Sequence, residues 1–287
     1  MAAPSQPRFV AIGDSFTEGV GDWNEGYPNG VRGWSDRVAK HLVKAQPELR
    51  YANLAIRSRR LRQILDEQLE PALALRPTLV SFFAGGNDLL DFGTDPHRVV
   101  ARCAEAVARI TDSGAKVIMF TSYDLRISRL LEPFRPRNDV FNDGIIEIAR
   151  KNDAILVDHR AMSEYEDPRL WSADRMHMSK DGHKLMAARV LDTLGVPWSF
   201  DLEDFDAHES IGWWTQRAEG IEFWRRHLMP VVGRRLRRVT LGDHLDPKWP
   251  ELVNPAEGLR KLEKKRRKQA RKAAEQLVGA VGDSTSA

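Results

Sequence analysis

Short apolar runs without polar alternation recur along the chain at 8–12, 51–56, 78–84, 116–121 and 154–158. Their Val, Ile and Phe content marks strands buried on both faces rather than strands with one wet side. Helical patterns fill the intervals at 34–45, 60–75, 96–113 and 139–151, and a further one follows at 180–194. This alternation predicts an α/β domain: a central five-stranded parallel sheet with helices on both faces. Ligands of such sheets bind beyond the carboxyl ends of the strands. Ser15, Asn87 and Tyr123 each follow a predicted strand at that end, and Ala55 lies at the end of another, so one shared site is expected there.

The remaining segments read differently. Residues 125–138 are rich in Arg, Leu and Pro without a clean period, which predicts a long loop, either a lid beside the site or a plain surface connection. After Gly195 the pattern changes. Residues 209–228 look helical, 243–255 resemble an extended linker, and 256–278 read as one highly charged helix with a narrow apolar stripe at Leu259, Leu262, Ala273 and Leu277. The expected division is a main domain over 8–200, a helical extension over 201–242, and a linker with a basic helical tail over 243–287.

Charge sharpens that division. Net charge is only +3, yet residues 234–274 hold 14 Lys and Arg against 5 Asp and Glu, leaving a mildly acidic body. Such a tail is either a solvated appendage or oligomer contact, or a surface for nucleic acid or another anionic partner. The single cysteine, Cys103, allows no intrachain disulfide and lies on a predicted helix face as a buried small side chain. The N-terminus lacks the basic start and apolar core of a signal peptide, so a cytoplasmic location is the expectation.

The chemistry centres on Gly13-Asp14-Ser15-Phe16, directly after the first apolar run. A serine at the end of a strand, preceded by glycine, is placed to be an exposed nucleophile, but serine is weak at neutral pH and needs a base. Asp174-Arg175-Met176-His177 offers one, because a tight turn puts the Asp174 carboxylate on His177 Nδ1 and fixes the tautomer. Gly85-Gly86-Asn87-Asp88 offers an oxyanion donor. Each piece alone has an ordinary reading: Asp14 and Ser15 as a helix cap, Asn87-Asp88 as a turn, Asp174 and His177 as a loop pair. Together, at matching strand ends, they describe an acyl-transfer site. Trp23 and Trp34 in the loop after Ser15 line a substrate pocket or belong to the core. His183 reads as a structural hydrogen-bonding residue, and the histidines show no metal-ligand spacing.

Those three blocks resemble the SGNH (GDSL) hydrolases, a family of esterases and lipases, over about residues 9–194. The family's Gly-Asp-Ser block matches Gly13-Asp14-Ser15, its Gly-x-Asn-Asp block matches Gly85-Gly86-Asn87-Asp88, and its Asp-x-x-His block matches Asp174 and His177. The resemblance implies a flavodoxin-like three-layer α/β/α fold and ester hydrolysis through an acyl-enzyme. It implies Ser15 as nucleophile, His177 as general acid and base, and Asp174 as the group that orients His177. The oxyanion donors become the backbone N–H groups of Ser15 and Ala55 and the Asn87 side chain. Ala55 stands where the family usually has glycine, a departure that bears on substrate range, and Asn53 beside it reads as structural. Asp14, Trp23 and Tyr123 are expected to line the substrate pocket. No cofactor or metal is implied. A carbohydrate O-acetyl esterase, a thioesterase of the same fold, and a non-catalytic binding protein with a working basic tail are the alternatives.

Overall fold

The computed structural model describes residues 6–91, 93–123, 133–203, 205 and 240–284. All five expected strands form: β1 (Arg8–Gly13), β2 (Arg50–Asn53), β3 (Leu79–Phe83), β4 (Lys116–Phe120) and β5 (Ile155–Val157). They pair in parallel, and β1 lies between β2 and β3. A sixth strand, β6 (Trp249–Val253), pairs antiparallel with β2 and completes the order β5-β4-β3-β1-β2-β6. The sheet is therefore six-stranded and parallel in all but one edge strand. The expected linker over 243–255 carries that strand.

Alternation along β1 divides the core. Phe9 and Ala11 face one hydrophobic cluster, and Val10 and Ile12 face the other. The first cluster holds the buried sides of α2 (Gly33–Ala45) and α8 (Lys180–Thr193). The second holds those of α6 (Pro96–Asp112) and α7 (Arg135–Lys151), together with the segment between β2 and β3. That segment, expected as one helix over 60–75, runs through α3 (Leu61–Ile64), a π turn (Leu65–Leu69) and α4 (Glu70–Ala74). Pro71 brings no N–H to the ladder, and the turn preceding it widens. Two very short helices, α1 (Ser15–Glu18) and α5 (Gly86–Leu89), follow β1 and β3 at the carboxyl edge.

Helix α7 starts at Arg135, four positions before the expected start at 139, with Pro136 in its first turn where the missing N–H costs nothing. Of the loop expected over 125–138, residues 135–138 are thus helical, and 125–132 lie outside the described residues. The helix expected over 209–228 also lies outside them. Cys103 is fully buried on α6, and burial pushes its thiol up, so it packs as a small apolar group.

The charged C-terminal helix forms as α9 (Leu259–Ser284). Its first turns dock: Leu259 is buried, Arg266 Nη1 donates to Lys248 O at 3.0 Å, and Arg267 Nη2 donates to Tyr27 O at 3.2 Å. Residues 264–276 are exposed. Trp249, 2% exposed, is the apolar anchor of β6, and its Nε1 donates to Asp36 at 3.2 Å. Trp249→Ala is expected to cost about 3–5 kcal/mol in urea unfolding. A tryptophan in a free linker would leave the midpoint unchanged.

Candidate active site

The first strand delivers Ser15 through a backbone that only glycine fits. Gly13 has φ +152°, and a Cβ there would collide with Phe83 O and Thr17 Oγ1. The Gln68 side chain, buried in the π turn, grips the same peptide: Gly13 N donates to Oε1 at 2.8 Å and Nε2 donates to Gly13 O at 2.9 Å. Asp14 caps α1 by accepting from Phe16 N at 3.1 Å. Ser15, 5% exposed, opens that helix, and its hydroxyl donates to His177 Nε2 at 2.9 Å.

A short loop after Trp171 builds the other half. Trp171 and Met178 form an antiparallel bridge, and Ser172 N donates to His177 O at 2.8 Å. The intervening turn closes on Asp174. One carboxylate oxygen accepts from the Ser172 hydroxyl at 2.6 Å, Met176 N at 2.9 Å and His177 N at 3.0 Å. The other accepts from His177 Nδ1 at 2.7 Å. Burial works against ionised Asp174, but the bonds from His177, Ser172 and Met176 outweigh it and hold the carboxyl well below its usual range. A fixed carboxylate on Nδ1 leaves Nε2 as the acceptor facing Ser15.

The two halves are locked together. Gly21, at φ +99°, lies so close to the histidine loop that a Cβ would run into Met178 O. His183 Nε2 donates to Val20 O at 3.0 Å from inside α8, and burial lowers its pKa to about 4, so it stays neutral and structural. Asp22 accepts from Gly33 N at 3.0 Å and pairs with buried Arg37.

Two of the three expected oxyanion donors, Ala55 N and the Asn87 amide, are engaged within the protein. Ala55 N donates to Asn53 Oδ1 at 3.0 Å. Asn87 Nδ2 donates to Asp14 Oδ2 at 3.1 Å and to Arg59 O at 3.0 Å. An open three-donor pocket of Ser15, Ala55 and Asn87 is therefore not what the resting site presents. Asn53, expected to be structural, braces this turn: its amide also donates to Thr17 O and Ser35 Oγ.

The residues expected in the substrate pocket separate. Asp14 is buried beside Ser15, where burial lifts its carboxyl to about 7 against the Phe16 N–H. Trp23 is 66% exposed, with the Arg57 guanidinium 5.8 Å from its ring centroid. Trp34 is core, packed on Phe120 at 5.0 Å. Tyr123 is buried against Trp171 and His159 and borders a cavity of about 390 Å³ that also touches Arg135, Asp139, Arg160 and Glu166. The sequence reading missed Gln68, Glu18 and Arg57. Gln68 carries no local signal, because its role is set by the neighbouring strand.

Asp14 makes a pH-dependent prediction. Its ordinary pKa is 3.8 and its folded value is about 7, so between these the folded protein holds a proton that the unfolded chain has released. This group's contribution to stability falls as pH rises through that window. Asp14→Asn removes the effect, and its stability relative to wild type is expected to improve by about 2 kcal/mol from about pH 5 to pH 7 in urea unfolding.

Comparison with known proteins places the chain in a family. The GDSL-like Lipase/Acylhydrolase family model matches residues 11–185. An acetylxylan esterase of Geobacillus stearothermophilus is 26% identical over 221 residues, covering 69% of this chain and 98% of that protein. The GDSL esterase/lipase WDL1 of Oryza sativa subsp. japonica is 23% identical over 216 residues, covering 67% of this chain and 79% of its own. Among solved structures, LAE5, an alpha/beta hydrolase enzyme from the metagenome of Lake Arreo, superposes with a TM-score of 0.55 at 25% identity, over 68% of this chain and 97% of that one. The crystal structure of the Geobacillus acetylxylan esterase Axe2 gives 0.57 at 22% identity, over 70% and 100%. The chain belongs to the GDSL-like lipase/acylhydrolase family and is a carboxylic ester hydrolase.

Proposed function

We propose that this hydrolase works through a covalent acyl-enzyme on Ser15, with His177 as general acid and base and Asp174 as its orienting group. The observation that carries the reading is the unbroken relay from Ser15 Oγ to His177 Nε2 at 2.9 Å and from His177 Nδ1 to Asp174 at 2.7 Å. As Oγ adds to the ester carbonyl, its proton passes to Nε2, and the imidazolium is stabilised by the ionised Asp174. The tetrahedral intermediate then expels the alcohol, which takes the proton from Nε2. Water, activated by the same nitrogen, adds to the acyl-serine and releases the acid.

The developing oxyanion falls to the Ser15 backbone N–H and to Asn87. The Asn87 amide has two hydrogens, both engaged at rest. One of them turns from Asp14 or Arg59 to the substrate as negative charge forms. Asn87→Ala is expected to lower kcat by about 10²–10³. An unchanged kcat would remove Asn87 from the oxyanion site.

The substrate reading is a small acyl ester of a carbohydrate. It is supported by the acetylxylan esterase relative, which aligns over 98% of its own length. Trp23, exposed in the segment that follows α1, offers a stacking face to a sugar ring. Turnover of xylose tetraacetate well above that of long-chain 4-nitrophenyl esters is the expected result, and the reverse order would favour a lipase or thioesterase.

Ser15→Ala is expected to reduce hydrolysis of 4-nitrophenyl acetate to a residual rate, and Asp174→Asn to cost about 10⁴ through loss of the tautomer. Wild-type turnover by either variant would contradict the assignment.

A further inference from the structure

Lys248 lies outside the stretch matched by the family model, yet it is completely buried. Its ammonium has three hydrogens to donate. Nζ is 2.9 Å from Glu18 O, 2.6 Å from Arg32 O and 2.8 Å from Asp36 Oδ2. The first partner ends α1, the second precedes α2, and the third lies inside α2. The opposite oxygen of Asp36 accepts from Tyr51 at 2.9 Å and from Trp249 at 3.2 Å, so the buried carboxylate is bonded at both oxygens.

Glu18 makes this contact more than a fastening of the tail. It is the last residue of the four-residue helix that Ser15 opens, and Ser15 O accepts from Gly19 N at 2.9 Å just beyond it. Its fully buried carboxylate also holds the loop after β2: Arg57 N donates at 2.6 Å, and the Arg57 guanidinium donates to both oxygens at 2.7–3.1 Å. Arg57 is two residues beyond Ala55. One residue thus ties the turn of the serine to the loop on the opposite side of the site, and Lys248 holds its carbonyl. A second set of contacts holds the C-terminal segment to both sides of this tie: Asn29 Nδ2, which also donates to Glu18, donates to Asp246 O at 3.0 Å, and Arg59, in the loop after β2, pairs with Asp243 at 2.7 Å.

We infer that Lys248 is a positioning residue for the hydrolytic site, which makes the C-terminal segment a working part of the catalytic domain. This rests on the reading of Ser15 as nucleophile. Water has only two hydrogens to donate and a shorter side chain does not span the three acceptors, so neither replaces the ammonium fully. Misplacement of reacting groups by about 1 Å costs about 10²-fold in rate.

The test uses the full chain with Lys248→Met and, as a second variant, Lys248→Gln, which keeps a donor on a stem too short for all three partners. Trp249→Phe is the stability control, because it loses packing and one bond to Asp36 while leaving the ammonium in place. Each is checked for folding by circular dichroism, then assayed with 4-nitrophenyl acetate and with a fluorophosphonate that labels the serine. Both Lys248 variants are expected to lose about 10–100-fold in kcat with KM within about threefold, and to label more slowly in proportion. Trp249→Phe is expected to keep kcat within about threefold. A folded Lys248 variant with kcat and labelling within about twofold of wild type overturns the inference, as does equal loss in Trp249→Phe. Failure of both Lys248 variants to fold also overturns it, since Lys248 would then be a stability residue. Absence of fluorophosphonate on Ser15 in wild type overturns the nucleophile reading and this inference with it.

Discussion

A single hydrogen bond, Ser15 Oγ to His177 Nε2, joins residues 162 positions apart and gives the rest of the architecture its purpose. Neither side chain reaches the other through local structure. Ser15 is fixed by β1, whose central place between β2 and β3 makes it rigid. His177 is fixed by a bridged loop that leads into α8, which packs against α2 on the same face of the sheet. The contact therefore depends on how two layers meet. Gly21 makes the meeting possible, since any side chain there would push the histidine loop away.

Buried polar groups do the fine alignment. Gln68 satisfies both sides of the Gly13 peptide, Asp22 pairs with Arg37, and Lys248 pairs with Asp36. Burying such groups is costly unless every donor and acceptor is met. Their concentration beneath the serine turn suits a site in which a small displacement is expensive. Asp14 is the exception within this frame. Its carboxyl is lifted by burial, yet it receives the Asn87 amide that ester hydrolysis would draw on.

Much of this was legible in the sequence, and for identifiable reasons. Parallel strands buried on both faces announce themselves as unbroken apolar runs, which is why β1 through β5 could be located. Ser15 and the Asp174–His177 pair were legible because strand ends and tight turns are local. The sixth strand was not. Trp249-Pro250-Glu251-Leu252-Val253 is an edge strand with one neighbour, exposed at Pro250 and Glu251, so it lacks the apolar run that marks the others. Lys248 was invisible for a related reason, because a lysine beside a charged helix reads as solvated until its three partners are seen. The state of the oxyanion donors was equally beyond reach. That Ala55 N–H turns to Asn53, and Asn87 to Asp14, is decided by tertiary packing and not by spacing along the chain.

The most direct test of the covalent reading is to trap the acyl group itself. Acid quenching during turnover of 4-nitrophenyl acetate, followed by peptide mass spectrometry, is expected to find acetyl on the peptide that carries Ser15, at that residue. Complete turnover with that peptide unmodified at every time point, and with label from heavy-oxygen water entering the acid directly, would contradict it.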